Sequence, residues 1–96
     1  MKLPIYKYLD LSTAHITEQT NTFLNRESQW QIADVIVYRK DCGYFVCVPE
    51  SLEELKQMDI PKDLKACLRL ALKHKCNWLV LDGGAEIVDG LKTYEW

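Results

Sequence analysis

The sequence has no apolar run of the about 18 residues that a membrane-spanning helix requires. Its opening residues, MKLPIYKYLD, also lack the apolar stretch of a secretory signal. Internal repeats, low-complexity segments and linkers are missing as well, and only 4 glycines and 3 prolines occur among 96 residues. We therefore expect a cytoplasmic protein without membrane attachment, folded as a single domain over residues 1–96.

A dominant charge is also missing. Lysine and arginine number 12, aspartate and glutamate number 14, and the net charge is −2. This balance argues against nucleic-acid binding driven by overall charge, but it does not exclude binding through a local basic patch. The hydrophobic content of 48% excludes a disordered chain and is sufficient for a core without metal or disulfide bonds.

The cysteines lack the tight spacing of zinc sites. Zinc ligands usually occur in pairs such as C-x2-C, whereas four and eight residues separate the successive pairs Cys42/Cys47 and Cys67/Cys76. Cys47 falls within an expected strand and Cys67 on an apolar helix stripe, where cysteine behaves as a small hydrophobe. We expect reduced thiols, no metal and no cofactor, with Cys42 exposed in a turn.

Hydrophobic periodicity predicts the element order β-α-β-β-α-β. The predicted strands are 5–11, 33–39, 44–48 and 77–81; the predicted helices are 17–26, capped by Thr17, and one that starts near Pro61, with a short helical stretch at 51–57. The segment AEIV (85–88) is expected to pair back onto the last strand. This order predicts a ferredoxin-like α+β domain: two helices on one face of an antiparallel sheet, then a short C-terminal hairpin or tail.

The stretch LSTAHIT (11–17) contains the candidate catalytic residues Ser12 and His15. A histidine activates a serine when it reaches the hydroxyl and is itself oriented by a third group. No G-x-S-x-G motif surrounds Ser12 and no glycine-rich oxyanion loop follows it. We favour a strand-to-helix turn in which Ser12 and Thr13 form hydrogen bonds with free backbone groups, while His15 packs or hydrogen-bonds there. A small hydrolase or transferase using His15 is the alternative.

A basic face is predicted on the helix that starts near Pro61. Its residues recur at helical spacing opposite the apolar stripe and are Lys62, Lys65, Arg69 and Lys73. Such a face contacts phosphates or an acidic protein, or is simply the solvated side of the helix.

Aromatic residues on the predicted sheet suggest a second way to bind nucleic acid. Tyr6, Tyr8 and Tyr44 are candidates for base stacking, as in RNA-recognition domains. The segment DCGYFVCV (41–48), however, places Asp41 and Gly43 where that motif has a basic residue and an aromatic residue.

Five segments together carry a family resemblance: DLSTAHIT (10–17), YFVCVP (44–49), IPKDL (60–64), KCNWLVLD (75–82) and VDGLKTYEW (88–96). They resemble a family of small uncharacterised bacterial proteins found on plasmids and other mobile elements, over nearly the full chain. One departure is that Tyr44-Phe45 stand where a tryptophan is expected. The resemblance implies no activity, but it places Ser12–His15 and Asp89–Trp96 among the characteristic positions of the family.

These features favour a protein-binding module over an enzyme. The resemblance to mobile-element proteins implies an anti-defence inhibitor of the anti-CRISPR or antirestriction type as a candidate role. The predicted partner-binding residues are the basic helix face and the C-terminal residues Tyr94, Glu95 and Trp96. Nucleic-acid binding through the basic helix is the alternative.

Overall fold

The computed structural model describes residues 1–96 and contains a mixed sheet with helices packed against it. The four strands are β1 (Tyr8–Ser12), β2 (Val37–Lys40), β3 (Gly43–Cys47) and β4 (Trp78–Asp82). The three α-helices are α1 (Glu18–Trp30), α2 (Leu52–Gln57) and α3 (Lys62–Lys73), and a 3-10 turn (Thr13–His15) follows β1.

The predicted α+β class is confirmed, but the sheet is not arranged as in a ferredoxin-like domain. Its strand order is β1-β4-β3-β2, with β1 parallel to β4 and the other pairs antiparallel. The first strand therefore lies at an edge, and α2 adds a third helix. The physical reason lies in β4, where the consecutive residues Leu79, Val80 and Leu81 are all buried. Such a run suits an interior strand with a neighbour on each side.

The core lies between one face of the sheet and the helices. Alternate strand residues such as Leu11, Val46 and Leu79 point into it and are fully buried. From α3, the stripe Leu64, Cys67, Leu68 and Ala71 packs against them, as the helical spacing predicts. Residues on the opposite strand positions receive no cover from any helix, which leaves the second face of the sheet open.

Side-chain caps fix the helix starts where the sequence predicts them. The Thr17 hydroxyl accepts a hydrogen bond from the Thr20 amide at 3.1 Å, and the Ser51 hydroxyl accepts one from the Glu54 amide at 3.2 Å. The Asp63 carboxylate accepts hydrogen bonds from the Thr17 amide at 2.8 Å and the Thr20 hydroxyl at 2.7 Å. These bonds join the starts of α1 and α3.

Several predicted boundaries are wrong. Helix α1 runs to Trp30 rather than Arg26, because the buried Glu27 carboxylate accepts a hydrogen bond from the Ala33 amide at 2.6 Å and anchors the turn that follows. Strand β2 begins at Val37 rather than Ala33, although the Ile36 carbonyl still accepts a hydrogen bond from the Cys47 amide of β3 at 3.0 Å. Pro61 precedes α3 as its cap residue.

Residues 83–96, called the tail from here on, form no strand, so AEIV does not pair back onto β4. The tail returns instead to the first segment of the chain, where the Tyr94 amide donates to the Ala14 carbonyl at 2.8 Å. No helix combines the length and apolar character needed to cross a membrane.

Gly43 provides a test of this sheet. A Cβ at Gly43 would overlap the Leu81 carbonyl group of β4, whereas a Cβ at Gly84 would meet nothing nearer than Asp82 Oδ1 at 3.5 Å. We expect Gly43→Ala to lower the free energy of unfolding by about 1–3 kcal/mol, because the main chain of two paired strands must separate. Chemical denaturation measures this loss. Gly84→Ala is the matched control, and equal stability of both variants would contradict the β3–β4 register.

Candidate functional site

His15 holds the tail against the first segment of the chain. Its side chain is almost completely buried; Nδ1 lies 2.9 Å from the Lys92 carbonyl oxygen, and Nε2 lies 3.0 Å from the Val88 amide nitrogen. A carbonyl only accepts and an amide N–H only donates, so these partners assign the neutral tautomer with its proton on Nδ1. Both ring nitrogens are therefore occupied in main-chain contacts.

Ser12 has a separate local role. Its hydroxyl accepts a hydrogen bond from the Ala14 amide at 3.0 Å and thereby caps the 3-10 turn. Ser12 and His15 lie in one turn but share no hydrogen bond, and the imidazole has no free nitrogen to receive the serine proton. The predicted turn chemistry accounts for Ser12, and contact with the tail accounts for His15.

The first and last segments of the family resemblance meet in space. Beside the Tyr94–Ala14 bond, the Trp96 indole N–H donates to the Ile16 carbonyl at 2.9 Å, while half of the Trp96 side chain stays exposed. A shallow depression of about 470 Å³ lies along this junction, between residues 17–19 and 93–96. The predicted binding residues Tyr94, Glu95 and Trp96 border it.

The predicted basic face is divided in the structure. Lys65 is half-buried, and its ammonium group donates to the Lys56 carbonyl at the end of α2, 3.2 Å away. Lys62, Arg69 and Lys73 are exposed and form no ion pair. These three residues, called the basic stripe below, lie along the outer side of α3.

The uncovered face of the sheet is a surface that the sequence predicts only in part. It presents aromatic side chains from all four strands and from the segment before β1, and we call this surface the open face. The exposed fraction is 63% for Tyr8, 53% for Tyr38 and 38% for Phe45. Trp78 lies half-buried among them, and Tyr6 borders the same groove of about 480 Å³. The Tyr38 and Trp78 ring centroids are 6.0 Å apart, with the ring planes inclined at 44°.

The prediction of exposed tyrosines was right for Tyr6 and Tyr8 and wrong for Tyr44. Tyr44 points into the core, and its hydroxyl donates to the Asn21 carbonyl at 3.3 Å. In β3 the buried Val46 fixes which alternate positions point inward, so Tyr44 faces the helices and Phe45 faces outward. The same alternation, counted from Val37 and Leu79, would have identified Tyr38 and Trp78.

The polar atoms of the open-face aromatic residues are unused. The one tyrosine hydroxyl with a partner inside the protein is that of Tyr44, and the one such indole N–H is that of Trp96. The hydroxyls of Tyr6, Tyr8 and Tyr38 and the indole N–H of Trp78 are therefore available to a bound molecule.

The charges of the open face are almost balanced. Lys40 and Asp82 form an ion pair in which the hydrogen bond raises the pKa of Lys40 and lowers the pKa of Asp82. The Gly84 amide donates to the same carboxylate at 2.8 Å and lowers the Asp82 pKa further. Asp10 is exposed on this face without an ion-pair partner. Lys7 and Arg39 also border the groove, and their charged groups donate to the His74 carbonyl at 2.9 Å and to the Asn25 side-chain carbonyl at 2.7 Å. The charge of Asp10 also contributes to the raised pKa of Lys40.

The four cysteines are separate from one another and form no disulfide. Cys42 is exposed in the β2–β3 turn with a positive φ of 62°, and burial raises the pKa of Cys67 to about 12. No three histidine, cysteine or acidic side chains converge on a common point that would suit a metal ion.

Comparison with known proteins gives a single match. Residues 8–96 match the model described as the C-terminal domain of a family of unknown function, DUF5983. No curated protein and no solved structure matches the chain significantly.

The hydrogen bonds of His15 yield a prediction about the tail. Replacing His15 with alanine leaves the Lys92 carbonyl and the Val88 amide without partners, which costs about 1–3 kcal/mol. We expect faster amide hydrogen exchange at Val88 and Tyr94 in His15→Ala, and a lower unfolding temperature. His74→Ala is the control, because the His74 ring is exposed and makes no hydrogen bond. Exchange at Val88 as slow as in the wild type would contradict the proposed attachment of the tail.

Proposed function

The chain belongs to the DUF5983 C-terminal domain family, and we propose that it is a protein-binding module whose main contact surface is the open face. The observation that carries the proposal is the set of aromatic side chains exposed together on one face of a folded sheet. A domain normally covers each apolar face of a sheet with another layer. Here the second layer is left for a partner to supply.

The composition of the open face supports a protein partner. The largest contiguous apolar patch on the surface of a monomeric protein is often an interaction site. Tyrosine and tryptophan are enriched among the residues that dominate binding energy, because they bury much apolar area at small entropic cost and keep a polar atom for a hydrogen bond. Tyr38 and Trp78, in contact at the centre of the groove, have these properties.

The charges of the open face argue against nucleic acid at this surface. Binding to a phosphate backbone depends on free lysine and arginine side chains. Lys40 is paired with Asp82, and Lys7 and Arg39 at the border of the groove are held in hydrogen bonds to His74 and Asn25. Asp10 adds a negative charge that repels phosphate. An aromatic face of this kind is better suited to a polypeptide.

The basic stripe supports a second candidate function on the outer side of α3. Lys62, Arg69 and Lys73 are free to contact phosphates, so nucleic-acid binding by this helix is the alternative proposal. It requires an affinity that falls steeply with salt concentration. For a protein partner, the same charges together with Tyr94, Glu95 and Trp96 form a proposed secondary surface, which affects the association rate more than the affinity.

Site-specific photo-crosslinking tests the open face. We expect benzoylphenylalanine at position 38 to yield a defined protein adduct in bacterial cells, and the same group at position 30 to yield none. Trp30 is the matched control, since it is 70% exposed at the end of α1, away from the groove. The adduct is identified by mass spectrometry and the complex is rebuilt from purified proteins. Tyr38→Ala should then weaken binding about 30-fold, the effect of losing a 2 kcal/mol hot spot.

Equal adducts from positions 38 and 30 would contradict the proposal, as would an unchanged affinity of Tyr38→Ala. Charge reversal of the basic stripe, Lys62→Glu with Arg69→Glu and Lys73→Glu, separates the two surfaces. If this variant abolishes binding while Tyr38→Ala does not, the contact lies on α3.

A more specific proposal concerns the partner, which we infer to be a host defence complex such as a CRISPR effector or a restriction enzyme. Its support is the resemblance of DLSTAHIT and VDGLKTYEW to proteins of plasmids and other mobile elements. We expect expression of the chain to raise the transformation efficiency of a plasmid targeted by such a system, relative to an untargeted plasmid. Tyr38→Ala should remove the gain. Equal efficiencies for targeted and untargeted plasmids against both kinds of defence mean that the partner is of another class.

A further inference from the structure

We propose that the open face binds a proline-rich segment of the partner, in the extended polyproline II conformation, with a basic residue of that segment beside Asp10. This inference rests on the proposed function and names the chemistry of the partner. It depends on four properties of the face: hydrogen-bond donors, ring geometry, area and charge.

The unused polar atoms favour a ligand rich in acceptors. The Trp78 indole N–H only donates, and the hydroxyls of Tyr6, Tyr8 and Tyr38 each have a proton to donate. A polyproline II segment exposes carbonyl groups that have no internal partners, and each proline lacks an N–H. Such a segment supplies acceptors to the groove and brings few donors that the groove would have to satisfy.

The ring geometry suits proline side chains. The Tyr38 and Trp78 ring centroids are 6.0 Å apart and the ring planes are inclined at 44°, so the rings are not stacked on each other. The compact, apolar pyrrolidine ring of proline packs against exposed aromatic faces. Proline-rich segments dock in aromatic-lined grooves of this kind, and their fixed backbone lowers the entropic cost of binding.

The aromatic part of the face is large enough to hold a peptide. With exposed fractions of 67%, 63%, 53% and 38% for Tyr6, Tyr8, Tyr38 and Phe45, the exposed aromatic area is on the order of 400 Å². A stable interface between folded proteins buries about 800 Å² on each partner. The aromatic area is about half of that amount, which is in the range of a short extended segment.

The negative charge of Asp10 determines the orientation of the bound segment in the groove. Asp10 of β1 lies in register with Val80 of β4, which in turn pairs with Phe45 of β3. The Asp10 carboxylate is therefore at the β1 edge of the open face. It forms no ion pair inside the protein; Lys40, which is paired with Asp82, interacts with its charge from a longer distance. An arginine or lysine next to the prolines forms an ion pair with Asp10. The position of this basic residue, before or after the prolines, fixes which end of the segment lies over β1.

The test uses capped synthetic peptides and the full chain. Nine prolines followed by arginine form the main probe; the same peptide with a terminal glutamate, a serine-glycine peptide of equal length and a ten-nucleotide oligothymidylate are the comparisons. Nuclear magnetic resonance titration follows the amides of Tyr38 and Phe45 and the indole N–H of Trp78. We expect saturable shifts with the proline-arginine peptide and weaker binding of the glutamate form.

Three variants assign the contacts. We expect Tyr38→Ala to weaken binding at least about tenfold, the equivalent of 1.4 kcal/mol, and Tyr38→Phe to weaken it less, because the ring stays. Asp10→Asn should bring the affinities of the arginine and glutamate peptides together. Trp30→Phe, at an exposed tryptophan outside the groove, should leave binding unchanged.

Other results would overturn the inference. These are shifts that do not saturate, equal binding of the serine-glycine peptide, preference for oligothymidylate with a steep salt dependence, or self-association of the chain that Tyr38→Ala removes. If the peptide fails while a crosslinked partner still requires Tyr38, only the proline-rich chemistry is wrong. If the peptide fails and the partner also ignores Tyr38, the proposed function fails with it.

Discussion

The central position of β4 is the constraint on which the rest of the structure depends. Its apolar run, Leu79 to Leu81, is buried between β1 on one side and β3 on the other. The parallel pairing with β1 requires the chain to cross over before β4, and the helices of both connections pack on the same face. The opposite face of the sheet carries no helix and presents aromatic side chains. The open face is therefore a direct result of the topology.

His15 explains why the two ends of the chain are joined. The neutral imidazole donates from one nitrogen and accepts at the other, so a single buried side chain satisfies a carbonyl and an amide of the tail. Ala14 and Ile16 add main-chain contacts on either side of it. The segments DLSTAHIT and VDGLKTYEW, which carry the family resemblance, are thus two halves of one structural contact. Attachment of the tail accounts for the positions of His15 and Trp96 within these segments.

Local patterns predicted the features that depend on local physics. The Thr17 and Ser51 caps, the β2–β3 turn and the apolar stripe of α3 follow from residues close in sequence, and the structure contains them. The pairing of β1 with β4 joins residues about seventy positions apart, and no local pattern specifies it. The prediction that Tyr44 is exposed was wrong for a related reason. In YFVCV both faces are apolar, so only the packing of Val46 against the core decides which aromatic residue is buried.

Several charged side chains form hydrogen bonds or ion pairs within the fold, and these groups are less available to bind a partner. Lys7 and Lys65 donate to carbonyls at helix ends, and Asp63 joins α1 to α3. Glu27 anchors a turn, and Lys40 pairs with Asp82. The basic stripe of α3 and the aromatic groove of the open face both keep side-chain groups that have no partner inside the protein. A solvated stripe costs the free protein little, because water satisfies its charges. Exposed aromatic rings remain unfavourable in water until a partner covers them, so the groove has the stronger claim to be the binding site.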